Sequence, residues 1–329
     1  MRIAAQAVFA PKSALQPFAY DAEVGEQEVL IRVTHCGICH SDLHLIDDDW
    51  GRTPYPLVPG HEVIGIVERC GPGVRGLEPG QRVGVGWQCG ACFACESCEA
   101  GHENACRKLQ ATCRGHFGGF AERLVVDARF AFSLPEALPS AEAAPLMCAG
   151  TTVYAALRRG QAGPGVRVGV VGLGGLGHLG VAFGRALGAE LAVLSSTMTK
   201  ADDARALGAS RFVTDPGELR RSLDLLLVTV PVDLPWKAYL DTLRPFGRVA
   251  FVGAPPSPLS IPIGLLIDRQ IGVFGSLIGS RATITEMLKL AADAGVRPWI
   301  ERMPMARAQQ ALERVRTRQV RHRMVLEAE

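Results

Sequence analysis

The sequence predicts an α/β protein in two parts, a doubly wound parallel sheet in the middle of the chain and a β-rich, barrel-like region before it. Three observations carry that prediction. To about Met147, short Val/Ile/Leu-rich runs alternate with Gly/Pro turns, as in small barrels and sandwiches. From about Ala149 to Ser276 the rhythm becomes strand, glycine loop, helix, repeated, and apolar strands alternating with helices bury both faces of a parallel sheet. The first strand of that stretch also runs straight into a glycine motif and then a helix.

In the first region the strand candidates are Glu28 to Val33, Val63 to Cys70, Arg82 to Gly86 and Ala121 to Val126, divided by turns such as Gly71-Pro72-Gly73 and Glu78-Pro79-Gly80. In the second they are Val166 to Val171, Leu191 to Leu194, Leu223 to Val230, Arg248 to Val252 and Ile271 to Phe274, with a helix over His178 to Leu187 stopped by Gly188. Beyond Ile278 the pattern predicts helices over Thr283 to Ala294 and Met305 to Arg316, then a strand over Arg323 to Leu326. The expected division gives 149–276 to the parallel sheet and joins 277–329 to 1–148.

The composition, 48% hydrophobic and 21% charged over 329 residues, is that of a globular chain, and 35 basic against 33 acidic residues leave a net charge of +2. That balance lacks the basic footprint of a nucleic-acid binder or a polybasic membrane anchor. No apolar run approaches the roughly 20 residues of a membrane span, and Met1-Arg2-Ile3 into Pro11-Lys12 lacks a signal peptide's apolar core, so a cytoplasmic protein is expected.

Ten cysteines could indicate disulfides, but five of them fall between residues 89 and 106, which points to metal. Cys92, Cys95, Cys98 and Cys106 stand at spacings of 3, 3 and 8 in a Gly/Ala-rich loop, so four thiolates can converge tetrahedrally at about 2.3 Å from one zinc. With every position filled by sulfur there is no place for substrate, and the zinc is expected to be structural. Cys89 offers a rival frame with Cys92, Cys95 and Cys98, and is otherwise a spare thiol.

A second set is dispersed: Cys39 in His35-Cys-Gly-Ile-Cys-His-Ser-Asp-Leu-His44, His61-Glu62 after Pro59-Gly60, and Cys148 in Leu146-Met-Cys-Ala-Gly150. Singly these are weak signals, since small buried cysteines and hydrogen-bonded loop histidines are common. They gain weight beside Gly172-Leu-Gly174-Gly175-Leu176-Gly177, a Rossmann-type dinucleotide fingerprint with its strand before it and its helix after it. Its glycines permit the tight turn and the backbone approach to pyrophosphate, while the helix N-terminus offers N–H donors.

The next strand would end in a carboxylate if it held the ribose diol of NAD. Here it ends in Ser195-Ser196-Thr197 followed by Lys200, while Glu190 lies at the wrong end and Asp202 and Asp203 fall in a helix. Hydroxyls and an ammonium favour a 2′-phosphate, hence NADP(H); the bland alternative is a polar strand end that contacts only water.

These residues resemble the zinc-dependent medium-chain alcohol dehydrogenases, and within them the cinnamyl-alcohol-dehydrogenase-like aldehyde reductases. The resemblance spans nearly the whole chain, from Cys39-His-Ser-Asp-Leu-His44 through Gly60-His-Glu62, the four-cysteine loop, Cys148-Ala-Gly-Thr-Thr152 and the glycine motif to Val320-Arg-His-Arg-Met-Val325. It implies a GroES-like catalytic domain beside the Rossmann domain and two zinc ions per chain. Cys39, His61 and Cys148 match the family's catalytic zinc ligands, and Glu62 the acid that approaches the metal when substrate is absent. Asp42 matches the carboxylate that orients the ligand histidine, and Ser41 and His44 the proton relay. His40 matches a pyrophosphate contact, and Thr152, Thr229, Val252, Gly253, Ser276 and Ile278 match cofactor-lining positions. The implied reaction is hydride transfer between NADP(H) and an aldehyde or primary alcohol held at the zinc, in a homodimer joined through edge strands of the cofactor domains.

Two departures stand out. The linker RKLQATCRGHF after Cys106 is shorter than in many plant members and lacks the tryptophan that bounds their aromatic substrates. It also carries Cys113 and His116, expected at the pocket rim or surface. Trp50, Trp87, Leu109 and Leu277 are candidates either for the pocket or for core packing. Two other functions stay open: reduction of C=N or activated C=C, which an intact Ser41/His44 pair disfavours, and a non-catalytic zinc- and nucleotide-binding sensor, which predicts damaged ligands.

Overall fold

A computed structural model describes residues 1–328; Glu329, the last residue of the range 277–329, lies outside the described residues. The described residues divide into two compact units, one of residues 1–148, 279–292 and 298–328, the other of residues 149–278 and 293–297.

The first unit is organised by one long strand, Glu28–Ile38. Along one side it pairs antiparallel with Glu62–Cys70. Along the other it serves two partners in turn, Arg123–Asp127 beside its first half and Arg323–Glu327 beside its second. Arg82–Val85 and Ile300–Pro304 extend the sheet outward. The buried face is made by alternation: Val29, Ile31 and Val33 join Val63, Val67, Leu124 and Leu326 in one apolar core. The strand reaches five residues further than its apolar pattern, because Thr34 and His35 are polar and hide its second half. An N-terminal hairpin, Arg2–Ala7 with Gln16–Asp21, and the strand Ile300–Pro304 are also additions to the predicted elements.

In the second unit six parallel strands follow the order Arg211–Val213, Glu190–Leu194, Arg167–Val171, Leu223–Val228, Leu243–Phe251, Gly272–Gly275. That is the doubly wound order 3-2-1-4-5-6, and it reverses direction beside Arg167–Val171. The central strands Glu190–Leu194, Arg167–Val171 and Leu223–Val228 are buried runs, the first two packed against the helix Gly177–Ala186, while the edge strand Gly272–Gly275 is largely exposed. The tightness is visible at Gly169, where an added Cβ would meet the Leu223 side chain at 2.4 Å.

Candidate active site and metal centres

Three strands of the first unit bring their ends to one point. Cys39 follows Ile38 directly and caps the helix His40–Asp47. Glu62 opens its strand opposite Gly37, and Arg323 opens its own beside the Met324–Ile38 pair. Cys148 arrives separately, on a single π turn, Leu146–Gly150, inserted between the helices Ser140–Pro145 and Thr151–Arg159. Such an inserted turn redirects a side chain, and it recurs at functional sites.

The ligand atoms of Cys39, His61, Glu62 and Cys148 lie within 4.8 Å of one another and all four residues are buried. Asp42, itself fully buried, organises them: its carboxylate accepts the Cys39 and Gly60 N–H groups at 2.9 Å and the His61 Nδ1 hydrogen at 2.9 Å. Nε2 is the free ring nitrogen, buried without a hydrogen-bond partner among the described residues, and in a neutral imidazole held this way it presents its lone pair to a metal. An orphan of that kind costs about 1–3 kcal/mol unless something outside the chain satisfies it. A hydrogen bond from Cys148 holds the Cys39 thiol well below its ordinary range, and the same bond, with burial, pushes Cys148 well above. Two buried sulfurs converging with a buried imidazole nitrogen fit a Cys₂His zinc set, in which the metal would displace the protons those groups carry.

Glu62 is divided between two roles. One carboxylate oxygen accepts from the buried Arg323 guanidinium; the other, Oε2, is buried and unpartnered among the described residues. Burial pushes this carboxyl up to about 7 against the pull of Arg323. The opposing residue is Gly37 because a Cβ there would stand 2.0 Å from Oε2. Arg323 was invisible to sequence reasoning as a site residue: it lies 261 positions from Glu62 and reads locally as the start of a strand.

Ser41 and His44 share one face of the helix His40–Asp47, three residues apart. Ser41 Oγ lies 3.7 Å from Cys39 Sγ, and the half-exposed His44 places Nδ1 2.7 Å from Asp49 Oδ2. Asp49 was also missed; the run Asp47-Asp48-Asp49 was its signal. Beside them Trp50 meets Trp87 edge to face at 6.2 Å, and Trp87 meets the His61 ring edge to face at 4.9 Å, so both tryptophans flank the cluster. His40 is exposed at the start of its helix.

The expectation for Cys113 is corrected. It is fully buried, not at a rim or surface, with Sγ 3.8 Å from His61 Nδ1. Burial pushes its thiol up, against the pull of His61. His116 is half-buried, both ring nitrogens facing backbone carbonyls, of Thr112 at 3.1 Å and Val125 at 2.9 Å.

Cys92, Cys95, Cys98 and Cys106 converge within 4.8 Å, and Cys89 stands outside that group. Three of their S···S separations are 3.5, 3.9 and 4.0 Å. A tetrahedron with Zn–S of about 2.3 Å has edges of about 3.8 Å, so the sulfurs already outline a zinc shell. Backbone N–H groups of Cys92 and Lys108 point at Cys106 Sγ at 3.5 and 3.3 Å, and backbone hydrogen bonding holds the Cys95 thiol down at about 6.

In the second unit, the expected cofactor positions gather at the carboxyl edge of the sheet. The glycine loop follows Val171, Ser195-Ser196-Thr197 follow Leu194, Thr229 follows Val228, Val252-Gly253 follow Phe251, and Ser276 follows Gly275; these strand ends are in register. Thr229 Oγ1 donates to Val171 O at 2.7 Å. Gly177 is forced, since a Cβ would lie 1.9 Å from Gly172 O, whereas a Cβ on Gly174 meets nothing within 4 Å and faces an open cradle. Ser196 and Thr197 are exposed, and Lys200 Nζ donates to Leu173 O, within the glycine loop, at 3.0 Å. Thr152 and Ile278 are buried, and Leu277 is exposed.

Family comparisons agree with this chemistry. Residues 25–136 match the alcohol dehydrogenase GroES-like domain, and residues 175–293 the zinc-binding dehydrogenase domain. An aldehyde reductase of Synechocystis sp. is 38% identical over 98% of each chain, and a probable cinnamyl alcohol dehydrogenase of Oryza sativa subsp. japonica is 40% identical over 95% of this chain and 91% of its own. Among solved structures, a cinnamyl alcohol dehydrogenase of Sorghum bicolor superposes with a TM-score of 0.95 at 38% identity, covering 99% of this chain and 98% of its own. One from Helicobacter pylori, complexed with NADP(H), has a TM-score of 0.93 at 32% identity, covering 99% and 98%. The chain belongs to the zinc-binding alcohol dehydrogenase family, enzymes that act on small molecules. No helix among the described residues is long and apolar enough to cross a membrane.

Proposed function

We propose that the protein is a zinc-dependent, NADP(H)-linked alcohol dehydrogenase working chiefly as an aldehyde reductase, with the catalytic role in residues 1–148 and 277–329 and the nucleotide in 149–276. The observation that carries the reading is the buried orphan Nε2 of His61, set among Cys39, Cys148 and Glu62 with its other nitrogen fixed by Asp42. When bound, zinc supplies a Lewis acid to the carbonyl oxygen and the nicotinamide supplies hydride.

The chain's own residues do the rest. Cys39, His61 and Cys148 hold the metal, and Asp42 keeps the imidazole in the ligating tautomer. Ser41 and His44 carry the proton between the substrate oxygen and water, with Asp49 fixing the His44 ring from its Nδ1 side. Arg323 balances the Glu62 charge, so the acid stays beside the cluster without a net buried anion. Cys92, Cys95, Cys98 and Cys106 hold a second, structural zinc.

NADP(H) is supported by the exposed hydroxyls after Leu194, the ammonium of Lys200 anchored on the glycine loop, and the NADP(H) complex of the Helicobacter relative. A cell keeps that pool reduced, which favours aldehyde reduction. A homodimer is supported by the strand Gly272–Gly275, which ends its sheet with Val273, Ile263 and Ile267 exposed nearby in sequence. A reducing, cytoplasmic setting accords with ten free cysteines.

The test is NADPH oxidation over a panel of aromatic, short-chain and branched aldehydes, with zinc content measured on the same preparation. Turnover with two zinc ions per chain is expected. A fully zinc-loaded protein that oxidises NADPH with none of them overturns the reading.

A further inference from the structure

We propose that Cys113 is a positioning residue for His61, its sulfur closing the Nδ1 side of the imidazole so that the Asp42 contact stays dry and the ring keeps one orientation. The inference rests on the reading of His61 as a metal ligand. It deepens that reading by naming a support for the ring that lies outside the expected set.

The geometry is a three-sided clamp. Asp42 Oδ1 holds Nδ1 at 2.9 Å, the Trp87 ring stands edge-on at 4.9 Å, and Cys113 Sγ lies 3.8 Å from the same Nδ1. His61, Asp42 and Cys113 are each 0% exposed. Sulfur at 3.8 Å is a poor rival to a carboxylate oxygen at 2.9 Å for the imidazole hydrogen, so it leaves the carboxylate bond intact while occupying the volume a water would need.

Cys113 is delivered by a short ribbon. Gln88–Gly90 pairs antiparallel with Gln110–Ala111, and the stretch joining them is the four-cysteine loop. Just beyond the ribbon, the Thr112 N–H donates to Trp87 O at 2.8 Å and its hydroxyl to Gly86 O at 2.5 Å. Trp87 and Cys113 are thus held side by side at the open end of a ribbon whose closed end is the candidate structural zinc site. The four-cysteine loop thereby sets where two sides of the His61 clamp fall.

The test compares Cys113→Ala and Cys113→Ser with the parent enzyme, following zinc release to a chelator and, after cobalt replacement at the catalytic site, the visible d–d spectrum. Loss of a partner behind a ligand histidine weakens metal binding by roughly 10- to 100-fold. Cys113→Ala is therefore expected to release one zinc about tenfold faster, shift the cobalt bands and lower kcat with the KM for NADPH unchanged. Cys113→Ser, which keeps an atom against Nδ1, is expected to recover much of the loss. Parent-like release and spectra in both variants overturn the proposal, as does equal loss of both zinc ions, which marks a general packing defect. If the alanine variant does not fold, the serine variant carries the comparison through its own spectral shift. A parent enzyme that holds zinc at the four-cysteine site alone sinks the proposed function instead.

Discussion

Arg323 and Glu62, 261 residues apart in the chain, meet as a buried ion pair beside the candidate zinc ligands. Removing one partner leaves the other charge buried without compensation, which typically costs about 3–5 kcal/mol. Arg323→Met is expected to destabilise the protein on that scale in urea denaturation. The double variant with Glu62→Gln should recover most of it; a double variant as unstable as the single one would show that packing, not charge, is at stake.

Metal content separates the two clusters. Cys39→Ser is expected to lose one zinc per chain and abolish turnover with the fold intact, whereas Cys98→Ser loses the other and chiefly lowers Tm. Elemental analysis checks both, and unchanged stoichiometry in the two variants rules out the two-site arrangement.

The relay predicts graded losses. His44→Ala is expected to slow turnover by roughly 10²-fold, the low end for a general acid–base group, with exogenous imidazole restoring part of it. Asp49→Asn keeps the ring but weakens its 2.7 Å contact, and a smaller loss with no imidazole rescue is expected. If His44→Ala turns over normally across neutral pH, water carries the proton.

Cofactor choice rests on the strand end after Leu194. Ser196→Asp places a carboxylate where a 2′-phosphate would sit and should move preference toward NADH. Lys200→Ala removes a charge-assisted contact worth about 1.5–3 kcal/mol, so NADPH should weaken by roughly 10- to 150-fold. NADH should weaken less, through the lost anchor on Leu173 O alone. Equal weakening of both makes Lys200 a loop support and nothing more.

Two neighbouring glycines should fail differently. Gly174→Ala puts its methyl into open space, so thermal stability is retained while cofactor affinity falls. Gly177→Ala drives a Cβ to 1.9 Å from Gly172 O, so stability itself falls. Titration of cofactor fluorescence beside a melting curve distinguishes them, and parent-like cofactor affinity in Gly174→Ala refutes the cradle.

What was legible in the sequence was what is local. Cys92 to Cys106 and Gly172 to Gly177 each fold within a few residues of themselves, and the apolar runs of the parallel sheet were legible because they are short, β-branched or Leu-rich and bounded by glycine loops. Cys39, His61 and Cys148 were legible through family resemblance, because no spacing links three residues that meet at strand ends and a π turn. Arg323 and Asp49 escaped notice, since each acquires meaning from a partner elsewhere in the fold. Cys113 was misplaced for a related reason: a short linker carrying Arg107, Lys108 and Arg114 reads as surface, yet the pairing of Gln88–Gly90 with Gln110–Ala111 turns one of its residues inward. The second half of Glu28–Ile38 was hidden by polar side chains that backbone pairing overrides.

That strand also dictates an order of assembly. Its second half stays an open edge, and Glu62 keeps an unbalanced carboxylate, until residues 323–327 have been synthesised and take their place along it. A nascent chain can form the four-cysteine loop and the glycine motif from residues close together in the chain, whereas the Arg323–Glu62 pair beside the candidate ligands needs a segment 261 residues further on, so the candidate reaction centre is completed by its most distant strand.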